Sequence, residues 1–286
     1  MLKIRGIKTD RIGILAFCML AFCLATNVAP AKSRSDCERY YLPKFGQPGK
    51  DVPWEPTSGK MAAAMLSLAK TTKGDRVYDL GAGDGAIVIA AAKEFGANAV
   101  GIEYNKALAI LAQCYVEAEG IESRAKVIAG DIFETDFSRA TVVTMFLWPE
   151  VNMRLRPTLL QMKPGTRVVS HMHDMQEWKW DDSVELEGRH AYLWIIPARV
   201  EGTWSLKPAA AGEAFNVTLT QSFQELTGSV GSNGNLLNVA GTQRGAQISL
   251  DIGGQRKLNG VVDGNRMTVS LTDRRGATKY VGTRTK

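Results

Sequence analysis

Apolar positions come in short continuous runs between Arg76 and Ala198 and in alternation after Val200, so the pattern predicts two architectures in series. Val77, Tyr78 and Leu80 form one run; Gly81, Gly83 and Gly85 break it, and the pattern resumes at Ile87, Val88 and Ile89. This reads as a strand, a glycine-rich turn and the start of a helix. Ala99 to Glu103 (AVGIE), Lys126 to Ala129 (KVIA), Thr141 to Leu147 (TVVTMFL) and Arg167 to His171 repeat the run, as buried parallel strands do. Lys60 to Ala69, Lys106 to Glu119 and Val151 to Met162 supply helical patterns, the last despite Pro157. Val184 to Leu186 and Tyr192 to Ile196 read as an antiparallel pair completing the sheet. The expected fold class is α/β, a doubly wound and mostly parallel sheet.

After Val200 the period falls to two. Phe215, Val217, Leu219 and Phe223 alternate, as do Ile248, Leu250 and Ile252, and then Met267, Val269 and Leu271. Asn233-Gly234, Gly253-Gly254 and Asp263-Gly264 mark hairpins between them. A small all-β antiparallel meander or barrel is expected over residues 200–286, with no catalytic constellation in it.

The loop at the end of the first strand is built for a ligand. Gly81, Ala82, Gly83 and Gly85 leave little side chain between backbone and ligand, and the following helix offers free N–H groups. Asp79 and Asp84 crowd the place where a dinucleotide would put its pyrophosphate, and like charges repel there. A cationic nucleoside such as S-adenosylmethionine fits better. Glu103 ends the next strand about 20 residues on, where a doubly wound sheet places the carboxylate for ribose hydroxyls. Asp131 follows the third strand, placed to take an adenine amino group. Three acids at three successive strand ends form one consistent set.

The strings DLGAGDG, GIE and GDIF resemble motifs of class I S-adenosylmethionine-dependent methyltransferases, whose fold is Rossmann-like. VPWEPT (Val52 to Thr57), TMFLWPEVNMRLRP and RVVSH are similar to the protein-lysine methyltransferases of the ATP synthase c subunit and the adenine nucleotide translocase, and to their bacterial relatives. The resemblance covers about Asp51 to Ala198. It implies S-adenosylmethionine as cofactor and a protein lysine as acceptor. It also implies that the segment carrying Trp54 and Thr57 closes over the cofactor; read from the residues alone, Trp54 is a hydrophobic staple and Thr57 or Ser58 a helix cap. At the fourth strand end, Trp148, Pro149 and Glu150 stand where class I enzymes meet the methyl acceptor. Trp148 would line an apolar channel that lowers the lysine pKa by desolvation, or else packs structurally. The Asn/Asp-Pro-Pro-Tyr string of amide and exocyclic-amine methyltransferases is missing, which argues against adenine or glutamine as acceptor.

Composition changes the picture mainly at the N-terminus. Lys3, Arg5, Lys8 and Arg11 precede an apolar run from Ile12 to Ala25, with Ala29 and Ala31 before Lys32: a secretory signal over residues 1–31, exporting the protein or, if uncleaved, anchoring it to the membrane. The leader carries +3 of the formal +6 charge, and no basic stripe with interleaved aromatics points to nucleic acid. Residues 32–50 read as a linker or arm and 51–199 as the methyltransferase domain. Beyond the leader only Cys37 and Cys114 remain; their spacing points to neither a zinc site nor a disulfide scaffold, Cys114 is expected to pack within its helix, and a bridge to Cys37 stays open without support from the spacing. His171, His173 and Asp174 cluster without an evident third ligand, so no metal is expected. Two other readings stay open: methylation of a small molecule or lipid in a pocket formed by Trp148, Trp178 and Trp180, and an exported binding protein that keeps the fold without the chemistry. A membrane-associated substrate is compatible with the lysine reading, and the sequence leaves the oligomeric state open.

Overall fold

The computed structural model describes residues 32–210, 212–232 and 235–285; the expected signal over residues 1–31 and the Asn233-Gly234 turn lie outside the described residues. Seven strands form the first sheet, in the order β3-β2-β1-β4-β5-β7-β6. They are β1 (Arg76–Leu80), β2 (Asn98–Glu103), β3 (Ala125–Ala129), β4 (Val142–Met145), β5 (Arg167–His171), β6 (Asp182–Leu186) and β7 (Arg189–Ile195). The first five run parallel, and β7 joins β5 antiparallel. Because β2 and β4 flank β1, the strand order reverses beside β1 and opens a crevice at the strand C-termini.

Alternation along β1 separates two cores: Val77 packs on one face with Ala99, Val127 and Val142, and Leu80 on the other with Ile102, Val143 and Met145. Helices α2 (Gly59–Leu68), α3 (Ala86–Lys93), α4 (Lys106–Ala118) and α5 (Pro149–Leu159) cover the sheet. Their starts are set locally. Ser58 caps α2 through Met61 N–H, Asn105 caps α4 through the N–H groups of Ala107 and Leu108, and Pro149 opens α5 where its missing N–H costs nothing.

Residues 32–50 form an ordered arm. Its helix α1 (Arg34–Glu38) carries a Ser33–Asp36 capping box, and Arg34 pairs with Glu119 at the end of α4. One sequence expectation is corrected here: Cys37 and Cys114 are joined in a disulfide across 77 residues, with Cα atoms 5.8 Å apart. Cys114 lies in α4, and the bridge brings α1 against it. Further on, Gly46 N–H donates to the Trp54 carbonyl and Trp54 N–H to the Gln47 carbonyl, both at 2.9 Å, so the arm returns over the crevice.

The alternating segment closes completely. Strands β8 (Gly202–Pro208), β9 (Phe215–Ser222), β10 (Glu225–Ser232), β11 (Asn235–Arg244), β12 (Gln247–Ile252), β13 (Arg256–Asp263), β14 (Arg266–Asp273) and β15 (Gly276–Arg284) form an eight-stranded antiparallel barrel, β15 pairing back onto β8. Its interior is a separate core around Trp204, Leu206, Val217, Leu250 and Val269. The β9–β10 turn meets the sheet: Phe223 stacks on Trp178 at 5.6 Å, Arg156 lies 5.4 Å over Phe223, and Gln224 donates to the Lys179 carbonyl at 2.7 Å. Trp178 is therefore 1% exposed, and its carbonyl accepts Trp194 Nε1 at 2.7 Å. This corrects the proposed tryptophan pocket, because Trp178 fastens barrel to sheet and Trp180 rests on Tyr192.

Candidate active site

At the crevice, the arm, the β1 loop and the ends of β2, β3 and β4 enclose one pocket. Trp54, Thr57, Asp79, Gly81, Ala82, Gly83, Glu103 and Asp131 all line it, so eight of the nine residues singled out for the cofactor meet in one place. The ninth, Gly85, is the N-cap of α3 at φ +82° and faces Ala112 instead. Gly83 takes φ +56°, and a Cβ there would come within 2.8 Å of Trp54 Nε1. Backbone and indole touch only because the side chain is absent.

Hydrogen bonds fix the loop to the neighbouring strand. The N–H groups of Gly81 and Ala82 both donate to the Ile102 carbonyl, at 2.9 and 3.0 Å. Glu103 accepts from Gly83 N–H at 2.9 Å and from Asn105 N–H at 2.8 Å. A carboxylate has about four acceptor positions, so two remain for hydroxyls of a ligand. Gly101 is a residue the sequence reading missed: a Cβ there would lie 2.6 Å from Ala82 Cβ, so its bare backbone lets the loop pack on β2.

The pocket is electronegative and poorly solvated. Burial raises Asp79 to about 7, against the Thr144 hydroxyl that donates to it at 2.7 Å, and the charges of Asp84 and Glu103 push the same way. Burial also raises Asp84 and Glu103, against the backbone N–H groups that hold them. Such a site gains from a cation that replaces the missing water. Asp131 is the exception. Lys50 binds its Oδ2 and Phe133 N–H donates to its Oδ1, and together they hold its pKa below the ordinary value. Lys50 also lies 5.1 Å from the Tyr104 ring centroid. With Lys50 and Trp54 inside, the free volume is about 100 Å³, below the roughly 300 Å³ at the small end of ligand pockets.

Trp148, Pro149 and Glu150 do not line this pocket. Trp148 is the N-cap of α5 and half-exposed, Pro149 is the first helical residue, and Glu150 lies in the first turn. From β4 the lining residues are Phe146 and Leu147, with Val151 beyond. Phe146 leads outward, its ring 4.1 Å from that of His171 and 6.2 Å from that of His173. Thr57, freed from capping because Ser58 does that work, has its Oγ1 3.3 Å from His171 Nδ1. Burial, seconded by the charge of Arg189, lowers His171 to about 4, so the ring is neutral at pH 7, with Nε2 buried and unpartnered. Burial also lowers His173, although Asp174, Glu150 and Glu55 lie close enough to oppose it. Three carboxylates therefore stand near His173, and one of them, Glu55, also lines the pocket with Phe146 and is bound to Arg189.

The model of the ANTKMT methyltransferase domain matches residues 79–182. A protein-lysine N-methyltransferase of Saccharolobus islandicus is 44% identical over 151 residues, covering 51% of this chain and 94% of that relative. The chain belongs to the protein-lysine N-methyltransferase family. It is an S-adenosylmethionine-dependent methyltransferase, and the donor set of the pocket, three desolvated carboxylates around a glycine loop, suits a cationic adenosyl ligand. The mouse lysine N-methyltransferase of the ATP synthase c subunit is 31% identical over 131 residues, 46% of this chain and 52% of that enzyme; the match spans about half of that relative's length. Among solved structures, a Salinibacter ruber protein described as an RNA methyltransferase, in complex with S-adenosyl-L-homocysteine, is 43% identical with a TM-score of 0.50. That match covers 56% of this chain and all of that one.

Proposed function

We propose that this enzyme methylates the ε-amine of a lysine in a protein. The observation that carries the reading is the set of carboxylates near His173, namely Asp174, Glu150 and the pocket-lining Glu55, beside the apolar lining of Phe146 and Leu147. Carboxylates draw a lysine side chain in, and that lining then desolvates its ammonium and favours loss of the proton. Trp148 and Glu150, at the head of α5, would receive the peptide around that lysine. A nucleic acid needs cations for its phosphates, so the same carboxylates disfavour RNA, the acceptor for which the Salinibacter ruber protein is named.

S-adenosylmethionine supplies a methyl group on a sulfonium, open to in-line attack. Within the pocket we assign the ribose hydroxyls to Glu103, the adenine end to Asp131 and the charged end to Asp79 and the Gly81–Gly85 loop. Trp54 and Thr57 close the roof, excluding water and aligning the acceptor. We also propose that the chain works outside the cytoplasm, released or anchored by its leader; the Cys37–Cys114 bridge supports this, since such crosslinks persist in oxidising compartments. We propose a membrane-associated protein as acceptor, within reach of an enzyme that an uncleaved leader would anchor.

Labelled S-adenosylmethionine added to cell fractions with the purified enzyme tests the acceptor. Label is expected in protease-sensitive material that yields methyl-lysine on hydrolysis, and label released by ribonuclease would overturn the reading. In the same fractions, a mature N-terminus near Lys32 outside the cytoplasm is expected for the cleaved form. Recovery of the whole pool in the cytosol would overturn the export proposal.

A further inference from the structure

The arm exposes side chains of the kind that a protein surface in water usually covers. Nine large apolar side chains are exposed among the described residues, and three of them, Tyr40, Leu42 and Phe45, fall within one short stretch at 92%, 65% and 74% exposure. Single exposed apolar residues are normal, whereas a cluster marks a surface made for contact. The stretch is also built. Tyr41 packs inward against the core, and its hydroxyl accepts from Gln47 Nε2 at 2.7 Å, while Gln47 Oε1 accepts from Lys44 N–H at 2.9 Å. These bonds close residues 41–47 into a loop. The Cys37–Cys114 bridge before it and the backbone bonds of Gly46 and Gln47 to Trp54 hold the loop at both ends.

The patch continues onto α4. Tyr40 and the exposed Ile110 border one surface groove with Ala107, and Lys106 stands exposed one helical turn before Ile110. Charge narrows the choice of partner. Residues 39–50 hold Arg39, Lys44 and Lys50 and no carboxylate. Lys50 turns into the pocket toward Asp131, Arg39 pairs with Asp36 at 3.2 Å yet stays mostly exposed, and Lys44 is exposed beside Phe45. The acids that flank the stretch are engaged elsewhere: Glu38 accepts from the Tyr115 hydroxyl and Asp51 pairs with Arg154. Apolar and aromatic tips flanked by cations match the boundary of a bilayer, where rings sit at headgroup depth and ammonium groups meet phosphates. A protein partner needs a fitted hollow for each protruding side chain, whereas a bilayer takes all three without one.

We propose that this loop docks the protein on a bilayer containing anionic phospholipid, with Tyr40, Leu42 and Phe45 in the interfacial layer and Lys44 and Arg39 on the phosphates. Gly46 and Gln47 are bonded to Trp54, which lies over Gly83, so the docked loop sets the roof of the cofactor crevice beside the bilayer. The surface is independent of which group is methylated and of whether the leader is removed, and its failure leaves the lysine reading untouched.

Sedimentation of the full chain with vesicles tests it, comparing phosphatidylcholine alone with a mixture of phosphatidylcholine and phosphatidylglycerol. Binding to the mixed vesicles is expected, and weaker binding to phosphatidylcholine. Leu42→Ser combined with Phe45→Ser should weaken both by about tenfold or more, because both apolar tips are lost. Lys44→Glu should weaken binding to the mixed vesicles alone, by about fivefold or more. Thermal unfolding and S-adenosylmethionine binding should match the parent in each variant, since none of these side chains lines the pocket. Lack of sedimentation would overturn the proposal, as would sedimentation indifferent to the double variant, which assigns the membrane contact to the leader or another face. So would a parent dimer that the double variant dissolves, which gives the patch to a second copy. Loss of label transfer to soluble protein without vesicles would overturn it too, by giving the patch to the acceptor.

Discussion

The two cavities of this molecule differ in almost every respect. The crevice of the parallel sheet is narrow, roofed by an arm and surrounded by carboxylates; the barrel mouth is wide, and charged Arg256, Asp273 and Arg275 share its wall with Phe215, Leu271 and Tyr280. Glycine serves opposite ends in the two places. In the crevice Gly83 lets an indole and a ligand approach the backbone, whereas in the barrel Gly228 lets two strands approach each other, since a Cβ there would lie 1.9 Å from the Thr218 carbonyl oxygen. The difference teaches that a deletion of side chain can build either a binding surface or a fold, depending on what lies across from it. Their cores are also separate, meeting through Phe223, Gln224 and Gly245.

That separation is open to a severe test. Gly228→Val should destabilise the barrel by about 3 kcal/mol or more through overpacking against the β9 backbone. Limited proteolysis should then cut within residues 200–285 while S-adenosylmethionine binding by the resistant remainder changes less than twofold. Parallel loss of both would show that the two parts share one cooperative unit.

A smaller effect tests the electrostatics of the crevice. Burial holds Asp79 near 7, far above its ordinary 3.8, so the folded protein without ligand favours the protonated form. That contribution to stability is complete below about pH 4 and lost as pH rises through 7. A cationic ligand reverses the preference. Affinity for S-adenosylmethionine should therefore rise about three- to tenfold from pH 6 to 7.5, with proton release, and Asp79→Asn should flatten the rise. A slope that persists in the variant would assign the dependence to another group.

The smallest effect concerns the arm. Lys50 occupies the position on Asp131 that we assign to the adenine end, so Lys50→Ala should tighten S-adenosylmethionine binding rather than weaken it. Ion pairs open to solvent contribute little, which sets the gain at roughly fivefold or less. Measured weakening would make Lys50 a ligand-binding residue.

Much of this was legible in the sequence where structure is local. The β1 loop, Glu103 and Asp131 stand at strand ends that continuous apolar runs mark, and parallel topology then brings strand ends together. The alternation after Val200 announced antiparallel strands but left meander or barrel open, because closure depends on β15 finding β8 across the whole segment. The Cys37–Cys114 bridge stayed an unsupported alternative for the same reason, being formed between residues 77 apart with no local spacing to signal it. Trp178 reads in the sequence as the wall of a small-molecule or lipid pocket and is a fastening between barrel and sheet; only the stacking of Phe223 on it reveals that. Lys50, in the roof, carried no motif of its own, and Phe146 lay within TMFLWPEVNMRLRP without being singled out. Phe146 is one position upstream of the apolar Leu147 and two before Trp148, and only the course of the chain after β4 decides which ring faces the pocket.

The account rests on an adenosyl cation seated between the β1 loop and Glu103, and calorimetric titration of S-adenosylmethionine into the parent and Glu103→Ala tests that seat most directly. Loss of charge-assisted hydrogen bonds worth about 1.5–3 kcal/mol predicts affinity weakened roughly 10- to 150-fold, with the thermal unfolding of the ligand-free barrel unchanged. Equal affinity in the two proteins would contradict it.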